Sequence, residues 1–300
     1  MAGVTTLGAN EADSLATIRA ALDAGVNYFD TAYCYGPAGE SDLLLGQVLP
    51  TVREQVVIAA KGGIHYNAAG QQQQDGRPAT LAAECEKSLQ RLKTDRVELF
   101  YLHSPDPAVP VSESAGAIAE LIQQGKALSA GASNCTLEQI QDFHAACPLA
   151  AVQLPYNMLQ RDIEQLTLPW CREQGIAVCV YWPLMKGLLA GAIRKQSDLA
   201  PRDKRREYPM YQGDEFEANR AFVERLQAVA DAAGRTVPQV VVNWTIHQPG
   251  ITAALCGAKR PWQIEDTAGA MGWQLSAEQM ATVNQAIADR GQAAVKRAFR

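Results

Sequence analysis

Along most of this chain, short apolar runs rich in β-branched residues alternate with segments of helical length and pattern. The runs are 26–30, 56–61, 97–103, 127–133, 151–154, 176–181 and 251–255. Helical patterns occupy 11–24, 41–49, 80–92, 112–124, 137–146, 163–174, 216–233, 237–247, 261–271 and 277–289. Gly25, Gly125 and Gly175 stand where helices stop, Pro50 closes another, and Thr136 stands as an N-cap. Strand–helix alternation of this kind builds a parallel sheet with helical crossovers. Its many repeats favour closure into a (β/α)8 TIM-type barrel over an open doubly wound sheet. No Gly-x-Gly-x-x-Gly follows a first strand, which argues against a dinucleotide-binding sheet of the Rossmann kind. Seven strands are in view, and an eighth has a place only in Met1–Ala9, so the first strand is expected to be truncated or the barrel incomplete. The whole of 1–300 is expected to be one domain. The stretch 196–215, rich in charge, Pro and Tyr, is expected to be a lid or binding loop.

The charge balance narrows the partners. A net charge of −5 with 20% charged residues gives no basic footprint for nucleic acid. The local cluster 202–206 is expected to be a solvated loop. No stretch reaches the roughly 18 apolar residues of a membrane span. Met1-Ala2-Gly3-Val4 lacks a charged-then-apolar signal pattern, and a cytoplasmic location is expected. The seven cysteines are scattered without a C-x-x-C pair, which speaks against a zinc site or a disulfide framework. The four histidines are dispersed and no carboxylate cluster joins them, so no metal is expected.

Four polar residues stand at or just after the ends of apolar runs. Asp30 closes 26–29, Lys61 closes 56–60, and His103 closes 97–102. Tyr35 follows Asp30 within Asp30-Thr31-Ala32-Tyr33-Cys34-Tyr35-Gly36. In a parallel barrel the C-terminal strand ends share one mouth, where chemistry takes place. A tyrosine's ordinary pKa is about 10, and a nearby ammonium favours the phenolate. Lys61 supplies that ammonium, and a buried lysine requires a partner such as Asp30. His103 offers a hydrogen bond to a substrate oxygen. Each residue alone has a bland reading: Asp30 as a turn residue, Tyr35 as packing, His103 as a rim histidine. Their joint occurrence at three strand ends points to a site that protonates a carbonyl oxygen. No side chain here is an evident nucleophile, so a hydride from a nicotinamide is the expected attacking group.

These residues resemble the signature of the aldo-keto reductase family. The resemblance is carried by Asp30-Thr31-Ala32-x-x-Tyr35-Gly36, Lys61, and His103 within Tyr-Leu-His-Ser-Pro-Asp. It continues, in order, through Gly131-Ala132-Ser133-Asn134, Gln153 in Val-Gln-Leu-Pro-Tyr-Asn, Tyr181-Trp182-Pro183-Leu184 with Gly187-Leu188-Leu189, and Cys256-Gly257-Ala258-Lys259-Arg260-Pro261 with Gln263. The resemblance implies Tyr35 as general acid, Lys61 and Asp30 tuning it, and His103 orienting the carbonyl. It implies that Ser133, Asn134 and Gln153 hold the nicotinamide carboxamide and that Tyr181 stacks on the ring. Leu184, Lys186, Gly187 and Leu188 would follow the pyrophosphate. Gly257, Lys259, Arg260, Gln263 and Asp266 would serve the adenosine end. Two adjacent cations suit a 2′-phosphate, so NADP(H) is expected over NAD(H). Read blandly, Lys259-Arg260 is a solvated helix start, itself a natural anion site.

The chain departs from the family pattern in three places. The usual N-terminal hairpin and much of the first strand are expected to be missing. Thr267 stands where an Asn is frequent, and the C-terminal segment is short. Tyr33, Trp182, Tyr66 and His65, with Tyr208, Met210 and Tyr211 from the 196–215 stretch, are the expected walls for a small-molecule carbonyl substrate. Three other readings follow. One is an NADPH-binding regulatory subunit without physiological turnover, as with members of the family that serve ion channels. The second is a truncated product with an open sheet edge. The third is a metal-dependent barrel hydrolase, which the scattered histidines disfavour.

Overall fold

A computed structural model of the protein describes residues 10–294. They fall into two compact units. The first runs to Leu154 and takes in Pro169–Cys179 and Gly257–Glu265. The second holds Pro155–Leu168, Val180–Cys256 and the residues from Asp266 onward.

The first unit alternates helices and strands. Its elements are α1 (Glu11–Asp23), β1 (Tyr28–Asp30), α2 (Glu40–Val48), β2 (Val57–Gly62), β3 (Ile64–Tyr66), β4 (Gln72–Gln74), α3 (Pro78–Leu92), β5 (Val97–Leu102), α4 (Val111–Gln123), β6 (Ala127–Ser133), α5 (Leu137–Ala146), β7 (Leu149–Pro155), α6 (Thr167–Glu173) and β8 (Ala177–Tyr181). Helix starts are fixed by local chemistry. Thr136 caps α5, accepting from the Gln139 N–H while the Gln139 side chain accepts from the Thr136 N–H. Pro78 opens α3, where its missing N–H would have no helical partner.

The strands pair in parallel in the order β1-β2-β5-β6-β7-β8. Asp30 lies opposite Ala59, Lys61 opposite Tyr101, Tyr101 opposite Gly131, and Ser133 opposite Gln153. These registers bring the C-terminal ends of β1, β2, β5, β6 and β7 to one edge. Asp30, Lys61, His103, Ser133 and Gln153 all sit there. Beneath them Ala59, Tyr101 and Ala151 form a buried cluster packed by Tyr28, Leu99 and Ala177. The Tyr28 and Tyr101 hydroxyls lie 3.2 Å apart within it, and burial holds both phenols well above their ordinary pKa.

The second unit carries α7 (Gly213–Ala233), α8 (Val237–Ile246), β9 (Ala253–Leu255), the end of α9 (Pro261–Ala268) and α10 (Ala277–Arg290). Thr236 and Ser276 cap α8 and α10 in the same reciprocal way as Thr136 caps α5.

Several expectations change. β1 begins only at Tyr28, because Val26 N–H is taken by the Ala21 carbonyl at the close of α1. Pro50 does not end the helical path. It opens a 3-10 segment, Leu49–Gln55, where a proline is tolerated. The Gln-rich loop contains the antiparallel hairpin β3–β4, closed by Asn67 Oδ1 accepting from the Ala69 and Gln71 N–H groups. The 163–174 helix divides into a 3-10 turn, Asp162–Glu164, and α6. The 196–215 stretch holds three 3-10 turns before α7 starts at Gly213. The expectation of a truncated first strand falls on Met1–Ala9, outside the described residues.

Gly131 leaves no room for a side chain. A Cβ there would lie 2.3 Å from Tyr101 Cδ1, within a fully buried ring. Gly131→Ala is expected to cost about 1–3 kcal/mol by overpacking, read as a lower urea midpoint at unchanged slope.

Candidate active site

Lys61 is fully buried and fully partnered. Its side chain is 0% exposed, and its three ammonium hydrogens meet three oxygens. Nζ donates to Asp30 Oδ1 and Oδ2, both at 2.6 Å, and to the Thr31 carbonyl at 2.7 Å. Asp30 Oδ2 also accepts from Gln153 Nε2 at 2.7 Å. Burying a charge is costly unless its donors and counter-charge are met in full. Here they are, by groups from β1, the loop after it, and β7.

That loop is held down before it reaches Tyr35. Thr31 N–H bonds to the Ala59 carbonyl and Tyr33 N–H to the Lys61 carbonyl, extending the β1–β2 ladder. Thr31 Oγ1 donates to Asp42 Oδ1 at 2.6 Å, and Ser88 donates to Asp42 Oδ2 at 2.8 Å. Burial pushes the Asp42 carboxyl above its ordinary pKa, while these two hydrogen bonds oppose the shift. The Arg91 guanidinium lies over the Tyr33 ring at 4.7 Å. Tyr35 N–H then closes a turn on the Ala32 carbonyl. The outcome places the Tyr35 ring centroid 4.9 Å from Lys61 Nζ and 5.6 Å, edge to face, from His103.

Cys34 faces the same histidine, with Sγ 3.6 Å from His103 Nδ1. Burial pushes its thiol up to about 12, so it stays protonated. Asn134 donates through Nδ2 to the His103 carbonyl at 2.7 Å and adopts a left-handed φ of 60°, a conformation asparagine tolerates well. One unit therefore gathers all four predicted proton-transfer residues together with Ser133, Asn134 and Gln153.

The nicotinamide carboxamide expected from the sequence would need polar partners at this edge. Ser133 Oγ is buried and has no hydrogen-bond partner. An orphaned hydroxyl there fits a group that brings its own donor or acceptor. Ser133 is thus open to such a group, whereas the Asn134 and Gln153 amides donate to the His103 carbonyl and to Asp30. In the 257–265 segment, Gln263 Oε1 accepts from the N–H groups of Lys259 at 2.8 Å and Arg260 at 3.2 Å, capping the start of α9. Arg260 Nη1 forms an ion pair with Asp13 Oδ2 at 2.8 Å.

The second unit holds the remaining candidates. Trp182, Met185 and Lys186 all have positive φ, at 62°, 46° and 57°, and Gly187 follows at 95°. This turn exposes backbone in a conformation that side chains resist. Lys186 Nζ lies between two rings, 4.1 Å from Trp182 and 4.5 Å from Tyr208. Arg205 Nη1 and Tyr211 Oη donate to the Lys186 carbonyl. Tyr181 packs edge to face on Trp182, and Leu184 and Leu188 flank the turn. Asp266 accepts from Thr236 Oγ1 at 2.7 Å and so ties α9 to the cap of α8.

The substrate walls are partly corrected. Tyr33, Tyr66 and His65 share a cavity of about 480 Å³ with Arg77 and Glu84. Tyr35 and Tyr66 pack against the same buried cluster of Ala32, Cys34 and Ile64. Met210 and Tyr211, by contrast, are 1% and 0% exposed, so neither presents a surface to a substrate. Sequence reasoning missed the Thr31 carbonyl, Cys34 as a neighbour of His103, and Asp13 as the partner of Arg260. The first two follow from the Asp30–Tyr35 motif, whereas nothing in the sequence signals Asp13.

A sequence model described as the Aldo/keto reductase family matches residues 2–288. The chain belongs to this family. Aldo-keto reductase YhdN of Bacillus subtilis is 35% identical over 280 residues, covering 92% of this chain and 84% of the relative. A probable aldo-keto reductase 1 of Glycine max is 29% identical over 278 residues, covering 92% and 80%. The structure of a glycerol dehydrogenase from Gluconobacter oxydans superposes with a TM-score of 0.88 at 31% identity, covering 98% of this chain and 91% of that one. This aldo/keto reductase is an NAD(P)H-dependent oxidoreductase with the α/β barrel fold class expected from its sequence.

Removing the counter-ion should expose the cost of the buried charge. Asp30→Ala is expected to lower the unfolding free energy by about 3–5 kcal/mol; an unchanged urea midpoint would show that the pair carries no net weight. For Cys34, iodoacetamide at pH 8 should leave the native thiol unmodified and label it fully in guanidinium. Rapid native labelling, seen by peptide mass spectrometry, would contradict a protonated, buried thiol.

Proposed function

We propose that this aldo/keto reductase converts aldehydes and ketones to alcohols with NADP(H), using Tyr35 as the proton donor. The observation that carries the reading is the closeness of the Tyr35 ring both to a fully coordinated ammonium and to His103. When bound, the dinucleotide supplies the hydride that no side chain can provide. The protein's own task is to hold the carbonyl and move one proton. His103 orients the carbonyl oxygen, and Tyr35 passes its hydroxyl proton to that oxygen. Lys61 stabilises the phenolate left behind. Asp30 and Thr31 keep all three ammonium hydrogens engaged, so the positive charge stays fixed near the ring. Gln153, hydrogen-bonded to Asp30, links this charge pair to the residues read as holding the carboxamide.

Ser133, Asn134 and Gln153 are assigned to the nicotinamide end, and Tyr181 to its ring. The Leu184–Leu188 turn is assigned to the pyrophosphate, and Lys259 and Arg260 to the adenosine 2′-phosphate. The two cations support NADP(H) over NAD(H). Tyr33 and Tyr66, with Trp182, are assigned to the walls of a small-molecule carbonyl site. The match across residues 2–288 supports treating the chain as one domain. Its seven free cysteines suit a reducing, cytoplasmic setting. No described helix is long and apolar enough to cross a membrane. Among the described residues no group of three or more His, Cys, Asp or Glu is placed to hold a metal ion.

Tyr35→Phe tests the assignment directly. NADPH oxidation with a reactive aromatic aldehyde should fall by about 100-fold or more, while NADPH affinity stays within about twofold. Equal loss of binding and turnover would remove Tyr35 from the role of acid.

A further inference from the structure

Arg260 has a carboxylate partner from a distant part of the sequence. Its Nη1 lies 2.8 Å from Asp13 Oδ2 and also donates to the Lys259 carbonyl at 3.1 Å. Asp13 sits in the first turn of α1. The Asn10 side chain fixes it there, accepting from the Asp13 N–H at 2.9 Å and donating to Asp13 Oδ2. The two side chains are 37% and 35% exposed, so the ion pair is screened by water and exchangeable. Gln263 takes the backbone N–H groups of Lys259 and Arg260. Discrimination at this turn therefore rests on side-chain charge.

We propose that Asp13 is a specificity-determining residue that weakens the enzyme's preference for a 2′-phosphorylated cofactor by holding Arg260. The proposal rests on the assignment of Lys259 and Arg260 to the adenosine 2′-phosphate. A phosphate arriving at Arg260 must displace or share the guanidinium, and it meets a carboxylate of like charge beside it. A ribose 2′-hydroxyl meets no such repulsion, because a carboxylate readily accepts its hydrogen bond. Asp13 thus penalises NADP and spares NAD, bringing the two affinities closer than Lys259-Arg260 alone would set them.

The test is calorimetric titration of the full chain with NADP+ and with NAD+, for wild type, Asp13→Asn, Asp13→Ser and Arg260→Ala. The ratio of the two affinities is the readout, because a general loss of folding moves both alike. Both Asp13 variants should raise the NADP+ to NAD+ ratio about fivefold or more, chiefly by tightening NADP+. An unchanged or lowered ratio in both, with Arg260→Ala still weakening NADP+, overturns the role of Asp13 and leaves the phosphate assignment standing. If Arg260→Ala leaves NADP+ affinity unaltered, the phosphate assignment falls and this proposal falls with it.

Discussion

The Lys61 ammonium meets three oxygens where its side chain has no exposure to solvent, two from Asp30 and one from the Thr31 carbonyl, and three constraints on the fold keep them there. Asp30 must end β1, Thr31 must turn its carbonyl inward, and Gln153 must reach from β7 to steady the carboxylate. A buried charge tolerates little slack, because each lost acceptor restores part of a large desolvation cost. The same three contacts fix the charge near the Tyr35 ring. Stability of the pair and usefulness of the pair are therefore one geometric condition.

Around this centre the protein invests in holding a short loop still. The Thr31–Asp42–Ser88 chain and the Arg91 guanidinium over Tyr33 pin the segment from the side of α2 and α3. Tyr35 reaches its position by a turn, so its precision depends on its anchors rather than on a strand. Cys34 adds a protonated thiol against His103, and Asn134 holds the backbone of the same residue.

Much of this was readable in the chain. Apolar runs ending in Asp30, Lys61 and His103 announce buried strand ends with polar chemistry, because a charged residue closing such a run needs a partner. Helix stops and caps at Gly25, Thr136 and Gly175 are local signals and were legible for the same reason. The β3–β4 hairpin was not, because a run of glutamines has little strand preference and pairs only once Asn67 sets the turn. Nor was the burial of Met210 and Tyr211, which depends on packing within the second unit that no local pattern encodes. The Asp13–Arg260 pair lay beyond reach altogether, since two surface charges far apart in sequence carry no mark of their meeting.

The parallel registers of β2 have a consequence for how faithfully this chain can assemble. Successive residues of a strand face opposite sides, so a slip of one residue along β1 or β5 would turn Lys61 toward the helices and away from Asp30. An apolar residue in its place would find a greasy surface on either side and tolerate the error. A lysine does not, because one side offers it two carboxylate oxygens and the other offers none of them. The residue read as serving the proton transfer thus also penalises every register of the sheet but the one that meets Asp30.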